Sequence, residues 1–110
     1  MTIRQFRSVL PLWQKVLNLQ EWKIKVRFGS DEEMNATGHP CQGLNYFSVE
    51  ELTSEILLHP ETDESTLVHE LLHLVFDGHK SKLGKYDPLH ERALNRTAAA
   101  LMELAELIRQ

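Results

Sequence analysis

Apolar positions recur along the first third of the chain with two spacings, which predict a helix and then a strand. In residues 3–19 they fall three or four apart, as on one face of an amphipathic helix. Pro11 must either kink this helix or stand in its first turn. Residues 22–28 alternate apolar and basic side chains, so they should form a half-buried strand with a wet outer face. The apolar stripe of the helix consists of Ile3, Phe6, Leu10, Trp13, Val16 and Leu17.

The middle of the chain reads as a loop followed by two short strands. Residues 29–42 are rich in glycine and other turn formers, which favours a loop. Residues 44–49 and 54–58 have strand character and are joined by a short polar turn. His39 and Cys41 lie two apart in the loop, and two ligands are too few to predict a metal site there.

Two helices are predicted in the last half of the chain. The first should begin after Thr62 or Asp63 as its N-cap, and almost every position in residues 67–76 is apolar, so it should be buried on most sides. Asp77-Gly78 should end it, with Gly78 in the left-handed conformation. Asp87-Pro88 should open the second helix as N-cap and first residue. Its apolar stripe should pack on the preceding helix and comprises Leu94, Ala98, Leu101, Ala105 and Ile108.

Composition limits the classes of protein that remain. At 110 residues, with 42% hydrophobic and 25% charged residues, the chain should form one globular domain over residues 1–110. The net charge of −4 and the dispersed basic residues argue against nucleic acid as a partner. The single cysteine excludes an intramolecular disulfide and favours a reducing compartment, so we expect a cytoplasmic protein. No segment reaches the roughly 18 apolar residues that a membrane span needs.

The motif His69-Glu70-Leu71-Leu72-His73 has the pattern H-E-x-x-H and lies inside the predicted buried helix. Residues four apart on a helix share a face, with their Cβ atoms about 5–6 Å apart. Two imidazoles in that relation can both reach one tetrahedral Zn²⁺. Glu70 would stand beside the ion, where a carboxylate can take a proton from metal-activated water. Without a metal, these polar groups would be costly to bury among leucine and valine. We therefore expect one Zn²⁺ per chain.

The order helix, strand, loop, two strands, H-E-x-x-H helix, helix resembles a minimal zincin over nearly the whole chain. It is similar to small prokaryotic and phage-type zincin peptidases. Residues 91–101, Glu-Arg-Ala-Leu-Asn-Arg-Thr-Ala-Ala-Ala-Leu, resemble the glutamate helix of gluzincins and the pattern of small peptidases that cleave prophage repressors. The resemblance implies an α+β zincin-like fold with a three-stranded twisted sheet, and a zinc metallopeptidase activity.

A zinc site needs a third protein ligand, and three residues are candidates. Glu91 lies in the first turn of the last helix, on the face that should pack against the motif, and is favoured. His79 stands ten residues after His69, as in the metzincin pattern, but the glycine of that pattern is displaced to Gly78. His90, beside Glu91, resembles the downstream histidine of SprT-like peptidases, whose cysteine-rich knuckle this chain lacks.

The expected reaction is hydrolysis of a peptide bond in a narrow protein target, with Glu70 as general base that passes its proton to the leaving amine. Tyr46, Tyr86, His79 and His90 are candidate donors to the oxyanion. The substrate should lie extended along an exposed edge strand, either residues 44–49 or 54–58. No feature of the sequence indicates the oligomeric state.

Two other classes of function remain open. A zincin-like endoribonuclease also presents three histidines with the third at +10, but that family has glycine where this chain has Glu70. A metal-stabilised binding module would hold a partner protein without cutting it. Replacement of Glu70 by glutamine separates the binding module from the peptidase, because a binder does not need the base.

Overall fold

The computed structural model describes residues 1–35, 42–77 and 88–109. Within these ranges the chain forms an α+β fold that confirms the predicted order, with one helix added. The predicted loop at 29–42 is wrong in part, because residues 31–34 form a short helix. The elements are α1 (Ile3–Val16), β1 (Lys23–Phe28), α2 (Asp31–Met34), β2 (Gly43–Ser48), β3 (Thr53–Leu58), α3 (Glu64–Asp77) and α4 (Pro88–Arg109).

Side-chain caps determine where α1 and α2 begin. Thr2 accepts a hydrogen bond from the Gln5 amide at 3.1 Å, and the Gln5 side chain accepts one from the Thr2 amide at 2.7 Å. Ser30 and Glu33 form the same reciprocal pair at the start of α2. The serine and glutamate three apart were therefore a sequence signal for α2. Pro11 lies inside α1, so of the two positions that the sequence left open, the first turn is excluded.

The sheet is mixed, and its strand order is β1-β3-β2. β1 pairs parallel to β3 from Lys23 opposite Thr53, while β2 pairs antiparallel to β3 from Gly43 opposite Leu58. β3 is therefore the central strand, so of the two alternatives for an exposed edge, residues 54–58 are excluded. The apolar side chains of β3 are consistent with a central position in the sheet, since Ile56, Leu57 and Leu58 are all at most 1% exposed. β2 is an edge strand, as predicted for residues 44–49.

One core joins the sheet to α1, α3 and α4. The predicted stripe of α4 is buried at Leu94 and Ala98, half-buried at Leu101 and Ala105, and exposed at Ile108. Among the described helices, none combines the length and the apolar character that crossing a bilayer requires. The largest fully buried side chains are Phe6, Ile56, Leu57, Leu58, Leu67, Leu71, Leu94 and Val68.

Candidate metal centre

Helix α3 presents the H-E-x-x-H motif from a buried position. Its first turn is capped by Asp63, whose Oδ1 accepts a hydrogen bond from the Ser65 amide at 3.0 Å. His69 and Glu70 are buried, and His73 is half-buried. The four-residue spacing brings the two imidazole rings together, with their centroids 5.1 Å apart. The motif therefore presents both histidines on one helix face, as the spacing predicted.

Helix α4 runs antiparallel to α3 and returns Glu91 to this face. At one end His90 lies beside Asp77, and at the other Arg109 contacts Glu64, which establishes the direction of packing. Glu91 Oε2 lies 2.8 Å from His69 Nε2. Its other oxygen, Oε1, lies 3.0 Å from His73 Nε2. The two motif histidines thus converge on a single carboxylate that comes from a different helix.

These three side chains fit a zinc ion by the chemistry of their donor atoms. Two imidazole nitrogens and one carboxylate form the set that many catalytic zinc sites use, and three is the usual number of protein ligands there. Glu70 also approaches the histidines, and its ligand atoms lie within 4.8 Å of theirs. Its Oε2 is 3.9 Å from His69 Nε2, however, which is farther than Glu91. Glu91 is therefore the candidate third ligand, and Glu70 stands beside the two histidines.

Glu70 has an unusual electrostatic environment. Burial, followed by the negative charge of Glu91, raises the pKa of Glu70 to about 8. A side chain of the sheet holds the helix backbone at this residue, because Asn45 Nδ2 donates a hydrogen bond to the Glu70 carbonyl at 2.9 Å. Ser54 in turn donates to Asn45 Oδ1 at 2.6 Å. Edge strand and central strand together therefore hold the backbone of the motif helix at Glu70.

The start of β2 passes close to Glu70 at a glycine. A Cβ at Gly43 would stand 2.9 Å from Thr66 Cγ2, which is too close, and 3.1 Å from Glu70 Cγ, a tight contact at which one of the two carbons must shift. Without that carbon, the start of the edge strand passes directly beside the Glu70 side chain. The sequence contained this glycine, but its role depends on a contact between residues 27 positions apart, which a local pattern does not reveal.

Behind His73 lies a second group of polar side chains that the sequence analysis did not identify as a unit. Asp77 Oδ2 is 2.8 Å from His73 Nδ1 and 3.0 Å from His90 Nε2. Burial acts to raise the pKa of Asp77, but the hydrogen bonds from His73 and His90 outweigh it and lower that pKa. Asp77 lies four residues after His73, so the same helical spacing that pairs the histidines was the signal for it. The structure thus places His90, an alternative third ligand, against Asp77.

The remaining predicted residues take no part in this geometry or lie outside the described ranges. Tyr46 is on β2 and 51% exposed, and it does not line the cleft that the described residues form at the site. His79 and Tyr86 lie outside the described residues, as do His39 and Cys41.

A cleft of about 440 Å³ opens beside His69, Glu70 and Glu91. Its described walls come from the start of α3, the start of β2 and the first half of α4. Apart from the two glutamates and the histidine, these walls are short or uncharged side chains. They are Gln42, Gly43, Ser65, Thr66, Asn95, Ala98 and Ala99.

Comparison with protein-family models, with curated proteins and with solved structures produced no match. Any assignment of function to this chain therefore depends on the residues of the site and on their geometry.

Proposed function

We propose that this protein is a zinc-dependent peptidase of the small zincin type. His69, His73 and Glu91 would hold one Zn²⁺, and Glu70 would be the general base. The observation that supports this most directly is the approach of both imidazole Nε2 atoms to the two oxygens of Glu91, at 2.8 and 3.0 Å. On an ordinary core helix, two histidines and a glutamate would be costly to bury, and packing alone does not require both imidazoles to face one carboxylate.

The chemistry divides between the ion and the chain. A bound Zn²⁺ lowers the pKa of water toward ~7 and polarises a carbonyl oxygen. Glu70 accepts a proton at its carboxylate and delivers it to the leaving amine. A carboxylate whose pKa is raised toward neutrality is suited to hold a proton between those two steps. Burial keeps the base away from bulk water, and the hydrogen bond from Asn45 holds its backbone in place.

Strand β2 provides a surface for an extended peptide. It is an edge strand, and it begins at Gly43 beside Glu70 and the cleft. A substrate that adds to this edge would bring its backbone past the base with main-chain hydrogen bonds alone. We propose a narrow protein target in the cytoplasm as the substrate, since so small a domain leaves little surface for general digestion.

The test combines metal analysis with a hydrolysis assay. The purified protein should contain close to one zinc per chain, and His69→Ala and His73→Ala should lose it. A library of peptides should be cut by the zinc-loaded protein, and a chelator should abolish the cutting. Glu70→Gln should keep zinc but lose hydrolysis, whereas Glu103→Gln, at an exposed position of α4, should retain both.

The alternatives give different results in the same assay. Unaltered zinc content in either histidine variant would exclude the metal site. Zinc without hydrolysis of peptides, together with cleavage of RNA, would favour the endoribonuclease. A partner protein that binds Glu70→Gln as tightly as the wild type and is never cut would indicate a binding module.

A further inference from the structure

We propose that Asp77 is the positioning residue for the zinc ligand His73, and that His90 holds Asp77 in place. This inference depends on the proposed zinc site, and it deepens that proposal by assigning a role to the polar group behind the ligands. Neither Asp77 nor His90 touches the substrate cleft that the described residues form. Both act through His73.

The two nitrogens of the His73 ring face two different carboxylates. Nδ1 lies 2.8 Å from Asp77 Oδ2, and Nε2 lies 3.0 Å from Glu91 Oε1. A carboxylate can only accept, so each nitrogen of this ring donates to the carboxylate it faces only when it carries a proton. With a metal bound at Nε2, the proton of the neutral ring is on Nδ1, where Asp77 accepts it. Asp77 would therefore stabilise both the tautomer that binds the metal and the rotation of the ring.

His90 supports Asp77 from the opposite helix. Its Nε2 lies 3.0 Å from the same oxygen that contacts His73. His90 precedes Glu91 directly, so the first turn of α4 provides both a ligand and the support for another ligand. Asp77 is buried, where hydrogen bonds to an ionised group are strong. The contacts of His90 and Glu91 thus join the first turn of α4 to three successive turns of α3.

His69 lacks a comparable support in the described part of the chain. Its Nδ1 is buried and has no hydrogen-bond partner there. Among the described residues, packing and the contact of Nε2 with Glu91 hold this ring. The asymmetry implies that loss of Asp77 disturbs one ligand and leaves the other unchanged.

Hydrogen bonding within the group accounts for the cluster of His73, Asp77 and His90 without a second metal ion. His73, Asp77 and His90 have ligand atoms within 4.8 Å of one another. A neutral imidazole has one lone pair, however, and His73 cannot offer it through Nδ1 while Nε2 binds the first ion. The hydrogen bonds between the three groups already satisfy the atoms that a second ion would take.

Zinc affinity, measured by competition with a chelator, tests the proposal. Asp77→Asn keeps the size of the side chain and should weaken zinc binding about 10- to 100-fold. His90→Ala should weaken it less, because Asp77 remains. The matched control is Glu64→Gln, which removes another carboxylate of α3 with similar exposure (6% against 8%) and with two hydrogen-bond partners, Trp13 and Arg109. It should lower stability and leave zinc affinity unchanged.

A second measurement separates orientation from general loosening. In the zinc-loaded protein, the Nδ1 proton of His73 should appear far downfield by NMR and exchange slowly with water. In Asp77→Asn it should exchange about 10-fold faster, because a neutral amide oxygen accepts a weaker hydrogen bond than a carboxylate does. The corresponding proton of His69 should not change. If Asp77→Asn does not fold, Asp77→Ser is subjected to the same two measurements.

The outcomes distinguish this inference from the proposed function. A wild-type protein that binds no zinc overturns both. Tight zinc in the wild type and equally tight zinc in Asp77→Asn, with an unchanged His73 signal, overturns the positioning role alone. Equal losses of zinc affinity in Asp77→Asn and Glu64→Gln also overturn it, because the effect would then be one of stability.

Discussion

The carboxylate of Glu91 lies 2.8 Å from Nε2 of His69, although 22 positions separate the two residues in the chain. The antiparallel packing of α4 on α3 produces this contact. A helix that starts near the end of the motif helix and runs back along it must carry its first turn past the motif. Glu91 stands in that turn and reaches both histidines.

Removal of Glu91 should therefore weaken zinc binding more than removal of any residue behind the ligands. Glu91→Ala deletes one of three donor atoms, and we expect a loss greater than the roughly 100-fold upper range for outer-shell partners. Chelator competition measures the change, and Glu106→Ala, at an exposed position of the same helix, is the control.

The competing assignment is tested in the same experiment. His79→Ala should retain most of the zinc affinity if Glu91 is the third ligand. A protein that loses its metal in His79→Ala and keeps it in Glu91→Ala would have the metzincin-like spacing, and the gluzincin-type assignment would be wrong.

Local patterns predicted the parts of the site that lie on single helices. The spacing of His69 and His73, the burial of α3 and the position of Glu91 all follow from the period of one helix and its packing on the next. Ser30 and Glu33 likewise carried the capping signal for α2, although the loop composition around them favoured an irregular segment.

Non-local contacts were the parts that the sequence did not reveal. β3 is the central strand because β1 pairs with it in parallel, although β2 lies between β1 and β3 in the sequence. No local pattern specifies that order. The approach of Gly43 to Glu70 depends on the same strand arrangement. Asp77 could have been found by its spacing from His73, but its contact with His90 required the direction of α4.

The pKa of Glu70 leads to a prediction about stability in the zinc-free protein. Its folded value of about 8 exceeds the ordinary value of 4.5, so folding favours the protonated form. The stability that this group contributes is fully present below pH 4.5 and is lost as pH rises to about 8. The glutamine of Glu70→Gln is neutral at every pH, so this variant does not lose stability as the pH rises.

We therefore expect Glu70→Gln to gain stability relative to the wild type by about 1.4 kcal/mol per pH unit across this window. At pH 7 the difference should be on the order of 3 kcal/mol. Urea unfolding with chelator present, at several pH values, measures it. Histidines remote from Glu70 contribute equally to both proteins, whereas His69, 3.9 Å from the Glu70 carboxylate, titrates together with it. A difference that does not vary with pH would show that Glu70 ionises normally.

Gly43→Ala should disturb the base without removing the metal. The added Cβ would stand 3.1 Å from Glu70 Cγ, so the glutamate side chain or the edge strand must move. We expect a loss of about 1–3 kcal/mol in the free energy of unfolding and a marked fall in peptide hydrolysis, with zinc retained. Metal analysis, urea unfolding and the peptide assay are run on the same preparation.

Gly29→Ala is the matched control for that substitution. Its Cβ would stand 2.6 Å from Met34 Sδ, at the end of β1 and away from the cleft. It should cost stability and leave the hydrolysis rate of the folded protein unchanged. Equal loss of activity in both glycine variants would mean that the effect of Gly43→Ala comes from unfolding and not from the base.

A buried carboxylate far from the metal joins three helices and leads to the last prediction. Trp13 Nε1 donates to Glu64 Oε2 at 2.7 Å, and Arg109 donates to both oxygens, at 2.8 and 3.2 Å. Burial acts to raise the pKa of Glu64, but the hydrogen bonds from Arg109 and Trp13 lower it. Its stabilisation is therefore present above the ordinary pKa and is lost as pH falls through the lowered value.

Glu64→Gln should lower the free energy of unfolding by about 1–3 kcal/mol at pH 7, since a buried acceptor for two donors loses its charge. The exposure of Arg109 keeps the value toward the lower end. The deficit should shrink as pH falls below the ordinary carboxyl range, because the wild-type residue then becomes neutral as well. Trp13→Phe removes only the indole donor and should cost less than Glu64→Gln at pH 7. Urea unfolding of both variants without zinc decides the point, and a Glu64→Gln deficit that persists undiminished at pH 3 would contradict a role for the charge.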